Sequence, residues 1–311
     1  MLNESGITND DSRLFTRFFD PVDMIACFAA DTPLKEVNQA AAEHGLRFPL
    51  VLEQERTLRE HMAAAEYAPA SARFGAYVDN LPGMNWQLPS GSRVRVGERV
   101  VKSSTGYDLF RFLLHTGNGY GQATDYVLRL RPLGGELCAC TITGNPGALA
   151  AAGDRMRASS WNHWIDRIDQ VTDASGKSWI EVEADCLPGE TPAFLGFFTS
   201  VTAACGAEFH VSPPSGPAGL PDFTIKSTAT RLTGLSAACM RVMGGHTRAL
   251  LGNGLLLVYP QRPPDPEILT ELRNEVEPQG GHVFGRMTPE REAAPGEAAW
   301  IQQLNREWSS L

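Results

Sequence analysis

The chain has no run of basic residues, no long apolar stretch and no paired cysteine motif, and each absence removes a class of function. Its 27 lysines and arginines are outnumbered by 36 acidic residues, and the net charge of −9 is spread along the 311 residues. No basic stripe is present to hold a nucleic-acid backbone or an anionic membrane surface, so neither is an expected partner. The longest apolar runs, such as Gly254 to Tyr259, fall far short of the roughly 20 residues that cross a bilayer. Direct membrane insertion is therefore not expected. The six cysteines are scattered, mostly within apolar stretches, and no secretion signal opens the chain. Free thiols in a reducing cytoplasm are the expectation. No Gly-x-Ser-x-Gly elbow, Walker loop or dinucleotide fingerprint occurs. Cys138 and Cys140 share a strand face, but no second Cys or His pair stands at metal spacing. They read as buried small hydrophobes, and no metal site is expected.

What remains is a chain with 42% hydrophobic and 20% charged residues, long enough for two compact units. After a polar start with an aromatic cluster at Phe15, Phe18 and Phe19, Met24 to Ala29 reads as a buried strand. Thr32-Pro33 reads as a cap followed by proline at the first helical position. Leu34, Val37 and Ala41 then recur at helical spacing, and Gly45 suits a left-handed helix end. Phe48 to Leu52 reads as the next strand. Met84 to Leu88 and Arg93 to Val96 flank Pro89-Ser90-Gly91, which predicts a hairpin. Thr105 to Asp108 has the spacing of a capping box before a short helix carrying Leu109, Phe112 and Leu113. Tyr126, Leu128 and Leu130 alternate with Val127, Arg129 and Arg131, a half-exposed strand closed by Pro132.

Beyond Gly135 the pattern changes. Leu137 to Thr143 reads as a strand, Asn145-Pro146 as a helix start, with the helix running to about Ile168. Trp179 to Ala184 and Phe209 to Val211 read as strands around a helix that starts at Thr191-Pro192 and ends at Gly206. Ser212 to Pro221 reads as a linker. A second round follows: a strand near Phe223 to Ala229, a helix, a strand at Leu255 to Tyr259, a helix from Pro264 and a strand at His282 to Arg286. Two βαβ-like rounds predict helices on one face of an antiparallel sheet, an α+β domain. No sequence self-similarity marks them as repeats.

The stretch from Arg73 to Pro132 carries a resemblance. It contains Arg73-Phe74-Gly75, Asp79-Asn80-Leu81-Pro82-Gly83, Val100-Val101-Lys102-Ser103-Ser104-Thr105-Gly106-Tyr107-Asp108-Leu109, and Gly121-Gln122-Ala123-Thr124-Asp125 leading to Arg129-Leu130-Arg131-Pro132. In order and spacing this resembles the second half of the FAD-binding domain of vanillyl-alcohol-oxidase, or PCMH-type, flavoproteins. Within that group it is most similar to the smaller, E-type subunit of glycolate oxidase. Ala30-Asp31-Thr32-Pro33-Leu34 matches a turn of the preceding strand–helix–strand. The resemblance implies a FAD-binding-like domain over residues 1–134 and an α+β cap domain of the substrate type over residues 135–311. It implies that Phe74, Gly75, Asp79, Val101, Lys102, Gly106, Tyr107, Asp108, Gly121, Gln122 and Thr124 surround a flavin. The physical logic is direct: glycine lets backbone amides approach a ring or phosphate, and a helix start behind Gly106 points N–H groups at an anion. Lys102 adds a point charge.

The departures are as specific. The Pro-x-Gly-Gly-Gly-Thr-like loop of the family would precede the first strand, yet Asp20-Pro21-Val22 already stands where that strand begins. The expected domain is thus truncated at the N-terminus. The second glycine-rich run falls on Leu58 to Ser71, which has no glycine, and two later family glycines align with His115 and Asn118. A pyrophosphate needs a concave nest of amides, and none is legible. Taken alone, Lys102 also reads as a solvated strand end and Tyr107 as core. Glu181 and Glu183 share a strand face and read as solvent-facing, not as acid–base groups. His210 and His246 read as structural or exposed rather than as a substrate base, and no catalytic residue is assigned. Three readings stay open. One is an accessory FAD-binding subunit of a 2-hydroxy-acid oxidoreductase, beside a larger catalytic flavoprotein subunit and an iron–sulfur subunit. Another is a flavin-less scaffold that keeps the fold, and the third is a binding module for some other small acid.

Overall fold

A computed structural model describes residues 14, 16–50, 54–63, 71–97, 110, 113–114, 120–212, 221–261 and 266–285. These fall into two units: residues 14–63 with 76–133, and residues 71–75 with 134–285. The sequence-predicted elements from Val100 to Asp108, and Phe15 of the aromatic cluster, lie outside the described residues.

The strands of the first unit are β1 (Phe18–Asp20), β2 (Ile25–Ala29), β3 (Leu46–Arg47), β4 (Gly83–Gln87), β5 (Arg93–Gly97), β6 (Gln122–Arg129) and β7 (Arg131–Pro132). Five of them form an antiparallel sheet in the order β1-β2-β6-β4-β5, and β3 pairs with β7. The hairpin at Pro89-Ser90-Gly91 forms as expected, with Gly91 in the left-handed region. Helix α1 (Leu34–Ala42) buries Leu34, Val37 and Ala41, the stripe its spacing predicts, and ends before Gly45 at φ 67°. Its start differs from expectation. Pro33, extended at φ −61° and ψ 142°, is the cap and not the first helical residue, because its carbonyl already accepts from Glu36 and Val37. Of the expected strand at Phe48 to Leu52, Val51 and Leu52 lie outside the described residues; the pairing strand is Leu46–Arg47, while the Phe48 amide donates to Asn38 Oδ1 at 2.7 Å. Helix α2 (Leu58–Ala63) begins with a capping pair: Thr57 N donates to Glu60 Oε2 at 2.8 Å and Glu60 N to Thr57 Oγ1 at 3.3 Å. On β6, Tyr126, Val127 and Leu128 are all buried, so this central strand is covered on both faces and not half-exposed.

The second unit opens with the one-turn α3 (Ser71–Phe74) and continues as β8 (Glu136–Thr143), α4 (Pro146–Arg157), β9 (Ile165–Thr172), β10 (Ser178–Cys186), α5 (Thr191–Cys205) and β11 (Glu208–Val211). It then runs β12 (Phe223–Lys226), α6 (Leu232–Met243), β13 (His246–Leu250), β14 (Leu255–Tyr259), α7 (Pro266–Val276) and β15 (His282–Gly285). The eight strands form one antiparallel sheet ordered β11-β8-β10-β9-β13-β14-β12-β15. Each half is a βαββαβ module whose first strand lies between its third and fourth. The two modules meet edge to edge where β9 pairs with β13. This is a structural repeat that the sequence does not display.

Helices cover one face of that sheet. Ile142, Ile168, Ile180, Val182, Leu256 and Val258 point into a core completed by Leu149, Met156, Phe194, Phe198, Leu235 and Leu272. Asn145 caps α4, its Oδ1 accepting from Ala148 N at 2.9 Å, with Pro146 just inside the helix. The predicted extension of this helix to Ile168 does not occur. It stops at Arg157, a 3-10 turn spans Ser160–Trp164, and Ile165 begins β9. Helix α5 ends at Gly206 with φ 70°, as its position predicts.

Candidate functional site

Of the residues implied to surround a flavin, Phe74, Gly75, Asp79, Gly121, Gln122 and Thr124 are described, while Val101, Lys102, Gly106, Tyr107 and Asp108 lie outside the described residues. Four of the six belong to the first unit: Gly121, Gln122 and Thr124 lie at the start of β6, and Asp79 lies in the 3-10 turn Tyr77–Asn80. Gly121 precedes β6 at φ 113°, and a Cβ there would overlap the Gln87 carbonyl oxygen and sit 2.8 Å from Trp86 Nε1. The glycine is thus required by close approach of β4, whose Trp86 Nε1 donates to the Tyr120 carbonyl at 2.9 Å. The Gln122 side-chain oxygen accepts from Arg59 Nη1 at 2.9 Å. Thr124 is the extra residue of a β-bulge, since Asn85 faces Asp125 whereas Trp86 faces Ala123. The bulge turns the Thr124 hydroxyl onto Asp125 Oδ2 at 2.9 Å, which also accepts from Asn85 Nδ2 at 3.0 Å. Asp79 closes a turn, its Oδ2 accepting from Ala76 N at 3.0 Å.

Phe74 and Gly75 lie in the second unit, where the Arg73-Phe74-Gly75 segment is tied down by charge and ring contacts. The Arg73 guanidinium lies 4.9 Å from the Phe74 ring centroid and 5.5 Å from that of Trp164. It donates to Asp166 at 2.9 Å, with Asp185 at 3.7 Å. Ala72 packs so close to Gly252 that a Cβ there would overlap its methyl group. The Gly252-Asn253-Gly254 turn is therefore a packing and turn device, Gly254 having φ 70°. The polar side chains of Asp79, Gln122 and Thr124 are engaged by the protein, and the space beside Gly121 is filled by β4. The anion-facing part of the implied wall, Val101 to Asp108, lies outside the described residues.

A second constellation stands on the helix-free face of the large sheet, and the sequence reading missed it. Glu181 and Glu183 on β10 are not solvent-facing. Arg167 and Asp169 on β9 are each 2% exposed. Arg167 Nη2 lies 2.7 Å from Glu183 and 3.3 Å from Glu181, with its Nε 3.6 Å from Asp169. Arg248 on β13 closes the network, its Nη1 reaching both Asp169 and Glu181 at 2.9 Å. Trp179 Nε1 donates to the other Glu181 oxygen at 3.0 Å. Burial pushes the Asp169 carboxyl up, against the opposing pull of Arg167 and Arg248. Glu183 is raised by burial in the same way, with Arg167 pulling down and Asp169 and Glu181 pushing up. Burial works against the charge on Arg248, yet Asp169 and Glu181 together raise it. The signal in the sequence was weak but present: acidic residues two apart on β10 beside Arg and Asp two apart on β9, at matching register.

His210 is exposed and lies 3.7 Å from Glu208. His246 stacks on Tyr259 at 4.4 Å, and partial burial together with Arg248 lowers its pKa. All six cysteines are free, and burial raises Cys138 and Cys140. Among the described residues no group of His, Cys, Asp and Glu forms a metal site, and no helix is long and apolar enough to cross a membrane.

No family model matches the chain. The mitochondrial D-lactate dehydrogenase [cytochrome] of Arabidopsis thaliana is 31% identical over 98 residues, 32% of this chain and 17% of that protein. A FAD-linked oxidoreductase of Mycobacterium tuberculosis is 25% identical over 114 residues, 36% of this chain and 25% of its own length. The D-lactate dehydrogenase of Archaeoglobus fulgidus is 26% identical over 130 residues, 42% of this chain and 29% of that protein. The matched segments thus span less than a third of these relatives. Among solved structures, alkyldihydroxyacetonephosphate synthase superposes with a TM-score of 0.64 at 11% identity, covering 96% of this chain and 64% of the synthase. The chain therefore has the fold of that synthase, and the relatives it resembles in sequence are two D-lactate dehydrogenases and a FAD-linked oxidoreductase.

Proposed function

We propose that this chain is the FAD-binding accessory subunit of a 2-hydroxy-acid oxidoreductase of the glycolate-oxidase type. The observation that carries the reading is the agreement of two likenesses: FAD-linked relatives in sequence and a FAD-binding fold in structure. Lactate, named for two of the relatives, is itself a 2-hydroxy acid. The bound flavin would supply the hydride-accepting chemistry, and the protein would position it. Val101, Lys102, Gly106, Tyr107 and Asp108 would hold it. A larger catalytic flavoprotein subunit and an iron–sulfur subunit would complete the complex in the cytoplasm.

A second reading, a flavin-less scaffold of the same complex, is favoured by the engagement of Asp79, Gln122 and Thr124 within the protein. Tagged chain expressed with its genomic neighbours separates the two. Co-purification of a flavoprotein and an iron–sulfur protein supports both readings. FAD bound to this polypeptide after the partners are stripped away supports only the first. A chain recovered alone, colourless and with no partner, overturns both.

A further inference from the structure

Five ionisable side chains meet on three central strands of the eight-stranded sheet, and their arrangement is uneven. Asp169 has the Arg248 guanidinium at 2.9 Å, and Glu181 has the same guanidinium at 2.9 Å and the Trp179 indole N–H at 3.0 Å. Glu183 stands at the far end from Arg248 and rests on Arg167 alone among these groups, at 2.7 Å. That guanidinium is also within 3.3 Å of Glu181 and 3.6 Å of Asp169. Across the sheet on the other side, Glu183 faces the uncharged Ala139 on β8. Glu183 therefore shares one cation with two other carboxylates in a buried setting. A buried carboxylate without its own counter-ion resolves the cost by binding a proton. Glu183 is also suited to exchange that proton. Its side chain is 17% exposed, against 3% for both Asp169 and Arg167.

We propose that this network is a proton-exchange site in which Glu183 is the member held as a neutral carboxylic acid. Its Oε1 lies 2.7 Å from Arg167 Nη2 without making a hydrogen bond, and the O–H of the acid is a donor for an incoming carbonyl or carboxylate oxygen. The direction in which burial and the neighbouring Asp169 and Glu181 shift Glu183 agrees with this. The inference stands on the second unit's own geometry and does not depend on flavin binding.

Glu183→Gln tests it, because the amide mimics the neutral acid. Urea unfolding of the full chain from pH 5 to pH 8 should show an unfolding constant within about threefold of the parent at pH 5. The parent should lose stability as pH rises above the ordinary carboxylate range, since its unfolded state releases a proton that the folded state keeps. The variant should lack that part of the slope. Infrared spectra of the parent at pH 6 should contain a protonated-carboxyl C=O band that shifts in heavy water and is missing from the variant. If the parent lacks the band, or if the variant unfolds about a hundredfold more readily at pH 5, as removal of an ionised partner from buried Arg167 requires, the proposal is overturned. Should the variant not fold, the infrared band of the parent decides alone.

Discussion

Gly121 lies against Gln87 so closely that any side chain on the glycine would overlap the glutamine's carbonyl oxygen. At φ 113° its backbone is also in a region that side chains disfavour. Gly121→Ala should therefore destabilise the first unit by about 3 kcal/mol or more, strain and overlap adding together. Denaturant unfolding checks this, and a variant within about 0.5 kcal/mol of the parent would show that β4 does not crowd this turn.

Arg248 satisfies two carboxylates at once on the helix-free face. Arg248→Met should leave Asp169 buried without its nearest cation, at a cost of about 3–5 kcal/mol. Burial pushes the Asp169 carboxyl up, against the opposing pull of Arg167 and Arg248. Stability therefore falls as pH rises above the ordinary carboxylate range, and losing Arg248 should steepen that fall. Urea unfolding of parent and variant at pH 5 and pH 8 measures both effects.

Arg73 joins α3 to β9 through Asp166, at a sequence separation of 93. Arg73→Ala and Asp166→Ala together should cost less than the sum of the two single changes. A coupling of about 0.5–3 kcal/mol in a double-mutant cycle is expected, because both side chains are mostly buried. Strict additivity would mean that Asp185 and the ring contacts to Phe74 and Trp164, not Asp166, hold Arg73.

The thiols divide by burial. Burial pushes Cys186 up to about 11 and Cys239 up to about 12, and raises Cys138 and Cys140 as well. Cys27 is buried, whereas Cys205 is partly exposed at the end of α5. Alkylation at pH 7.5 followed by peptide mass spectrometry should modify Cys205 first, the other five only on unfolding.

Much of this architecture is written locally in the chain. Asn145-Pro146, Gly206 and Pro89-Ser90-Gly91 act through their own backbone, so their positions predict a cap, a helix end and a hairpin. Strand β9 was not legible because Ile165 and Ile168 stand at helical spacing, while its alternate residues Arg167 and Asp169 are charged yet buried. Pairing with Glu181 and Glu183 on β10 and with Arg248 on β13 makes such a strand tolerable, and no local window contains those partners. The repeat escaped for a related reason. The two modules share strand order, not side chains, and their junction at β9–β13 exists only in three dimensions. Within the implied flavin wall, the residue types are legible but not what they touch. Gly121 looks like a ligand-facing glycine until Gln87 is seen beside it.

The most direct test of the proposed function is the visible absorption spectrum of the purified full chain, with acid-released cofactor quantified against polypeptide. Flavin bands and FAD near one equivalent are expected, with Lys102→Ala and Gly106→Val each lowering that ratio. A colourless chain that takes up no FAD when supplied with it would contradict the account.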